Sequence, residues 1–203
     1  MKLKLFIIFT LIIFVPACEK REVSQSSPEA ALRKFIDGFL QLNKTQVMAS
    51  VYGSKLEKEG LAVFIDYLIE VQSFKKAVVN KYGSRGWKYF ETDGGAKLSM
   101  SMTADSTMID SAKIRVGTER ATCILPDKDK VIHLKIKNGI WYVDAADAFS
   151  TNGSSLRNYI KTWTDVTGII KKAKQRIGQD GVTAESLDEE MGVELSAVLL
   201  ANR

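Results

Sequence analysis

The sequence predicts an α+β fold in which amphipathic helices come first, an antiparallel meander of strands follows, and two helices end the chain. Apolar residues recur at helical spacing up to about residue 82 and again from residue 156. Between residues 98 and 144 they alternate with polar residues, as in half-buried strands. Because helices and strands are grouped along the chain, the pattern favours α+β over a parallel α/β fold. With 203 residues, 45% of them apolar, the chain is long enough to bury a core.

The first residues have the composition of an export signal. Lys2 and Lys4 precede an apolar run over residues 5–15 that Thr10 interrupts. A bilayer-spanning helix needs about 20 apolar residues, so this run is too short to span. A basic start followed by an apolar core of this length is typical of a secretory signal peptide. We therefore predict that residues 1–17 are a signal peptide.

The end of this segment, Val15-Pro16-Ala17-Cys18, resembles the lipobox of bacterial lipoproteins. The resemblance implies cleavage between Ala17 and Cys18 and acylation of the Cys18 thiol, with palmitate among the attached chains. A diacylglyceryl thioether with an N-acyl chain exceeds the two signals that stable membrane attachment needs. Val15 and Ala17 also fit ordinary secretion with the same cut. Cys18 would then be unmodified and able to pair with Cys123.

The residues after Cys18 bear on location. Enteric lipoproteins retained at the inner membrane carry aspartate where this chain has Glu19, so the resemblance favours the outer membrane. Residues 18–27 are polar and predict a lipidated tether, of which residues 19–27 reach at most about 30 Å. The domain would then face the periplasm or the cell surface. Because export removes the chain from the cytoplasm, we expect no nucleic-acid partner.

Cap residues predict where the first helices begin. Ser27 before Pro28 is an N-cap followed by proline at the first helical position. Residues 46–52 predict a second, short helix that Gly53 ends.

A third, long helix follows. Ser54 and Glu57 match a capping box, and the apolar stripe continues to Tyr82. Gly83 is the predicted stop signal, and residues 84–95 are predicted to form a loop.

The strands follow that loop. Asn138-Gly139 predicts a two-residue hairpin before a last strand over residues 140–144. Because apolar and polar residues alternate along the strands, one sheet face is predicted to be apolar and the other rich in lysine. The apolar positions of the earlier strands are Leu98, Met100 and Met102, then Ala112, Ile114 and Val116, then Ala121, Cys123 and Leu125, and then Ile132, Leu134 and Ile136.

Two C-terminal helices are predicted, one from about residue 156 to before Gly178 and one from about Thr183. The second carries an apolar stripe of Leu187, Met191, Leu195 and Val198.

Helices followed by a meander that ends in Gly139-Ile140-Trp141-Tyr142-Val143-Asp144 resemble the nuclear-transport-factor-2-like superfamily. The resemblance covers residues 28–148 and implies helices packed on a curved antiparallel sheet around a conical pocket. Residues 149–203 lie outside it and form a predicted helical extension. In that superfamily the pocket serves ketosteroid-isomerase-like catalysis in some members and binding in others, so fold does not settle function.

No residue presents a strong case for catalysis. His133 shares its strand phase with Lys135 and is expected to face solvent, and Cys123 is expected to be a buried, inert thiol. One histidine and two cysteines disfavour a metal site, and we expect no cofactor. The strand phase of Asp144 leaves its direction open.

The helical carboxylates Asp37, Asp66 and Glu70 are expected on solvated helix faces, since each shares its stripe with other polar residues.

Two clusters keep alternative interpretations. The aromatic residues Trp87, Tyr89, Phe90 and Trp141 either line an apolar pocket or belong to the core. The basic residues of 171–176 either oppose the dipole at a helix C-terminus or contact anionic lipid head groups.

We therefore expect a lipid-anchored, non-catalytic protein of the cell envelope that binds a small apolar ligand or an envelope protein. A ketosteroid-isomerase-like enzyme is one alternative, and it needs an Asp or Glu in a pocket beside a Tyr or His. A structural or assembly protein acting through the C-terminal helices is the other. It needs the Leu187 to Val198 stripe exposed.

Overall fold

The computed structural model describes residues 25–93, 95–96, 98, 107–125, 131–148 and 153–201, which form a mixed α and β structure with an open five-stranded sheet. The strands are β1 (Val51–Tyr52), β2 (Lys113–Val116), β3 (Arg120–Ile124), β4 (Val131–Lys137) and β5 (Ile140–Asp144). Their order in the sheet is β1-β5-β4-β3-β2. β2 to β5 pair antiparallel, whereas β1 pairs parallel with β5. The expectation of a mixed fold with a largely antiparallel sheet is confirmed.

The helices lie before β2 or after β5 in the chain, and β1 lies between the second and third of them. A π-helical turn (Tyr89–Asp93) continues the third helix, and a 3₁₀ turn (Ala145–Ala148) follows β5. The α-helices are α1 (Pro28–Leu40), α2 (Lys44–Ser50), α3 (Lys55–Lys88), the short α4 (Thr107–Asp110), α5 (Gly153–Arg176) and α6 (Ala184–Ala201).

The predicted cap of α1 is confirmed, since the Ser27 hydroxyl accepts the Ala30 N–H at 3.1 Å. The predicted helix over residues 46–52 is wrong at its end: α2 stops at Ser50, and the next two residues form β1. Val51 is β-branched and Tyr52 aromatic, and both residue types favour extended backbone. Their partners lie on β5, a long-range pairing that a local pattern does not reveal.

α3 begins with the predicted capping box and then runs past its predicted end. Ser54 and Glu57 each accept the other's backbone N–H. At Gly83 the backbone leaves the helix for one residue, with φ 73° and ψ 176°, and the helix then resumes. The predicted loop over residues 84–95 is therefore wrong over residues 84–93, which are helical. Trp87 and Phe90 beyond the break are buried, and this burial holds the segment against the core.

The hairpin between β4 and β5 is confirmed. Asn138 has φ 52° and Gly139 φ 76°, the two positive values that a type I′ turn requires. Register then assigns the sheet faces: Leu134 lies opposite Val143 on the inner face, and Lys135 lies opposite Tyr142 on the outer face. The predicted strand at Leu98, Met100 and Met102 lies outside the described residues, except for Leu98, which is buried.

Two apolar clusters form the core, and α3 contributes to both. The sheet cluster joins α1 and α2 to the inner sheet face and receives Leu61 and Ile65 from α3. The helix cluster joins α5 and α6 to the rest of α3, including Val71 and Phe74. The two C-terminal helices therefore pack against the middle and end of α3.

Candidate functional site

A cavity of about 380 Å³ lies where α1, α3 and β1 meet the first residues of β4 and the last residues of β5. It is open to solvent. Most of its lining is apolar, and its volume falls in the range of about 300–1,000 Å³ found for small-molecule pockets. The apolar side chains around it are Phe35, Val51, Leu61, Val131, Ile132, Val143 and Ala145.

Asp144 borders this cavity, but its carboxylate is engaged elsewhere. The residue is 8% exposed, and its side chain pairs with Lys135 Nζ at 2.5 Å. The carboxylate also accepts the Ala146 N–H at 3.2 Å. Alternation along β5 places Val143 on the inner face and Asp144 on the outer face, with Lys135. The direction that the sequence left open is therefore outward.

Asp147 borders the cavity from the 3₁₀ turn and is bound to His133. The imidazole Nδ1 lies 2.9 Å from Asp147 Oδ1, and the His133 backbone N–H donates to the same carboxylate. The His133 side chain is 48% exposed, so the prediction of a solvent-facing strand residue is confirmed. What the sequence did not predict is its carboxylate partner, which lies 14 residues later in the chain.

Cys123 is fully buried on the inner sheet face, as predicted. Loss of hydration on burial raises the pKa of its thiol, so the reactive thiolate is disfavoured.

The four aromatic residues do not form one pocket. Trp87 and Phe90 are buried in the helix cluster, where both rings contact Phe74, and Tyr89 packs against the same cluster. Trp141 is buried in the sheet cluster. These aromatic residues are part of the core, the second of the two interpretations.

Glu70 corrects another prediction. It was expected on a solvated helix face, but it is 8% exposed and pairs with Lys174 of α5. Its position on α3 faces α5, and this helix contact is not visible in the polar stripe of α3 alone. Asp66 is half-exposed and pairs with Lys44 at 2.7 Å, which fits the predicted solvated face.

The basic residues of 171–176 are largely neutralised within the fold. Lys172 pairs with Glu194 at 2.7 Å, and Arg176 pairs with Glu190, both acids of α6. With Lys174 bound to Glu70, these cations join α5 to its neighbouring helices.

The α6 stripe is also internal. Leu187, Met191 and Leu195 are at most 6% exposed, and Val198 packs partly buried against the helix cluster. The geometry required by the assembly-protein alternative is therefore not met by these residues. Between them lies Asp188, which the sequence did not single out. It is 2% exposed and accepts the Gly95 and Ala96 N–H groups at 2.7 and 3.1 Å.

The predicted lipidation and cleavage residues, Cys18 and Ala17, lie outside the described residues, as does the rest of the predicted signal peptide. Within the described ranges, no helix combines the length and apolarity that a membrane crossing requires. In the same ranges, no group of three or more His, Cys, Asp or Glu side chains is placed to hold a metal ion. No protein-family model, curated protein or solved structure matches the chain.

Proposed function

We propose that this chain is an exported bacterial lipoprotein, cut between Ala17 and Cys18 and anchored through acylated Cys18, whose domain binds a small apolar ligand without catalysis. The N-terminal residues support the anchor, and the cavity between the helices and the sheet supports ligand binding. The outer membrane is the favoured location, with the domain in the periplasm or at the cell surface.

We also propose that residues 28–148 form a nuclear-transport-factor-2-like domain with a curved sheet, and that residues 149–203 are a helical extension. The position of the cavity, between helices and the inner face of an antiparallel sheet, supports this assignment. Ligand entry would occur at the end of the sheet where β4 begins.

The apolar lining of the cavity is the observation that carries the binding role. Binding an apolar ligand there is favourable, because each Å² of apolar surface removed from water contributes about 25 cal/mol of binding free energy. The two carboxylates at its border already have basic partners, Lys135 for Asp144 and His133 for Asp147. The Asp144 carboxylate also points to the outer sheet face. A binding role therefore fits this geometry better than ketosteroid-isomerase-like acid/base catalysis, which needs a carboxylate aimed into the pocket.

The anchor is tested by the mass of the N-terminal peptide of the membrane-extracted protein. We expect a peptide that begins at Cys18 and carries the mass of three acyl chains. An unmodified Cys18 at the mature N-terminus would exclude lipidation and leave a soluble exported protein.

The binding site is tested with N-phenyl-1-naphthylamine, an uncharged apolar dye that fluoresces when buried. The full chain should bind it, and Ile132→Trp, which fills the cavity, should weaken binding at least tenfold. Ile177→Trp, a partly buried position in the helix cluster, is the matched control and should bind like the wild type. If Ile132→Trp and Ile177→Trp bound the dye equally well, the cavity would be rejected as the binding site.

Contact with an envelope protein is a second candidate, because one face of α6 remains apolar and exposed. Val193 is 72% exposed and Leu200 65% exposed, and Ala197 lies between them at helical spacing. A photo-crosslinker at Val193 in intact cells should then capture one discrete protein, whereas the same crosslinker at exposed Glu59 of α3, beside the sheet cluster, should not.

A further inference from the structure

The sheet has two ends that carry different residues. The cavity lies at the end where β4 begins and β5 stops. The opposite end consists of the β2–β3 turn (residues 116–120) and the β4–β5 turn (residues 137–140), which we call the turn end. Both turns lie together because both hairpins are antiparallel, and the Ile136 N–H donates to the Glu119 carbonyl at 3.1 Å.

Large apolar side chains stand exposed at the turn end. Val116 is 61% exposed and Ile140 is 42% exposed. The type I′ turn and the strand pairing fix the backbone positions of Val116 and Ile140, so the sheet itself keeps both side chains exposed.

The turn end also carries three cations, which the strand register places on the outer face with Ile140, whereas Val116 lies on the inner face. Arg115, Arg120 and Lys137 are exposed, and no described residue forms an ion pair with any of the three. Glu119 contributes one negative charge in the β2–β3 turn, so the turn end keeps a net positive charge. Cations that have no ion-pair partner among the described residues, close in the chain to exposed apolar side chains, are suited to the boundary of an anionic membrane, where head groups are negative and acyl chains lie beneath.

Gln25, the first described residue after Cys18 in the sequence, is held at this same place. The Gln25 carbonyl accepts the Trp141 N–H at 2.9 Å, and the Gln25 Nε2 donates to the Trp141 carbonyl at 2.7 Å. Trp141 is the neighbour of Ile140 in β5. Six residues lie between Cys18 and Gln25, and the seven steps from one Cα to the next limit their distance to about 25 Å.

We propose that the turn end docks on the anionic phospholipid head groups of the bilayer that holds Cys18, with Val116 and Ile140 at the head-group boundary. The proposal rests on the proposed lipid anchor, which confines the turn end to the membrane surface. Docking in this orientation directs the cavity away from the bilayer, toward the aqueous side. The occupant of this surface is the lipid itself and not an acidic protein.

The experiment uses the full chain, purified in detergent and reconstituted into vesicles of phosphatidylcholine with about one third phosphatidylglycerol. An environment-sensitive fluorophore is placed at Ile140→Cys or, as control, at Val193→Cys, which is 72% exposed on α6. Cys123 is buried and stays unlabelled. Phospholipids with a quencher at the head-group boundary should quench the probe at position 140 at least twofold more than the probe at position 193.

Charge variants test the electrostatic part. Each cation near an anionic surface favours docking about fivefold, so Arg115→Gln, Arg120→Gln and Lys137→Gln together should lower the docking equilibrium about a hundredfold. The quenching difference should then vanish, as it should in vesicles of phosphatidylcholine alone. Lys76→Gln, Arg85→Gln and Lys171→Gln change the net charge equally at exposed positions of α3 and α5 and should keep the difference. Circular dichroism confirms that both variants fold.

Equal quenching at positions 140 and 193 in an acylated chain would overturn the proposal and leave the anchor intact. Loss of the difference with both charge variants would also overturn it, because net charge and not the turn end would then control orientation. Quenching at position 140 that needs an added acidic protein would assign this surface to a protein partner instead. The N-terminal mass reports separately on the anchor, so failure of the proposed function is distinguished from failure of this inference.

Discussion

Asp188 joins α6 to the segment that follows the π-helical turn, and its replacement by alanine tests this connection. The carboxylate is almost fully buried and holds two backbone N–H groups, those of Gly95 and Ala96. One turn later, Gly192 lies against the same segment, where an added Cβ would come within 3.1 Å of the Gly95 Cα. Asp188→Ala removes both hydrogen bonds while leaving the helix backbone unchanged.

The expected loss follows from these contacts. A hydrogen bond to a charged group contributes about 1.5–3 kcal/mol, and Gly95 is exposed enough for water to replace the acceptor, so the lower value applies. Two such bonds amount to about 3 kcal/mol, and the better helix propensity of alanine returns about 0.5 kcal/mol. We therefore expect the free energy of unfolding to fall by about 2.5 kcal/mol, which lowers Tm by about 5–10 °C in a chain of this length.

Urea unfolding followed by circular dichroism at 222 nm measures this loss. Glu189→Ala, at the exposed neighbouring position of α6, is the matched control and should change stability by less than about 0.5 kcal/mol. Asp188→Asn should lose most of this stabilisation, because its amide NH₂ group is a donor and cannot accept the backbone N–H group that it faces. A loss for Asp188→Ala no larger than that of the control would refute the reasoning.

Further predictions concern backbone strain and titration. Gly139→Ala should destabilise by about 1–2 kcal/mol because φ is positive there, whereas Gly168→Ala, in a helix with open space around it, should stabilise by about 0.5–1 kcal/mol; urea unfolding of each compares them. Burial raises the pKa of Tyr159 from 10.0 to about 12, so the folded state holds this proton more tightly than the unfolded state. Its contribution to stability is complete below pH 10 and is lost as pH rises to about 12, and Tyr159→Phe should show a shallower alkaline loss in urea titrations. The Cys123 thiol should react with a disulfide reagent in urea at least a hundredfold faster than in the native chain, and comparable rates would contradict its burial.

Local chemistry predicted several elements correctly. The side chains of Ser27 and Ser54 each accept the backbone N–H of the residue three positions later. The Asn138-Gly139 turn requires positive φ values only at these two residues. Such signals are readable because cause and effect are close together in the chain. The alternation that placed His133 outward and Cys123 inward is equally local.

The misplaced features depend on distant partners. β1 exists because Val51 pairs with Val143 of β5, 92 residues later. Glu70 is buried because α5 packs against α3 and brings Lys174 next to it. Asp188 accepts its hydrogen bonds from the segment after the π-helical turn, which is distant from it in the chain. Gly83 was recognised as a break, but the burial of Trp87 decides that helix resumes beyond it. At the cavity, the apolar strand positions were predictable, whereas the pairing of Asp147 with His133 was not.

Because α3 supplies residues to both apolar clusters, the two halves of the core are linked in folding. Its helical turns run without interruption from Leu61 in the sheet cluster to Phe74 in the helix cluster. Melting either cluster removes the packing from part of one continuous helix, and an unsupported helix of this kind is only marginally stable in water. The amide protons of the β4–β5 hairpin and of α5 should therefore exchange through a common opening of similar free energy, so that the protein behaves as one cooperative unit despite its two cores.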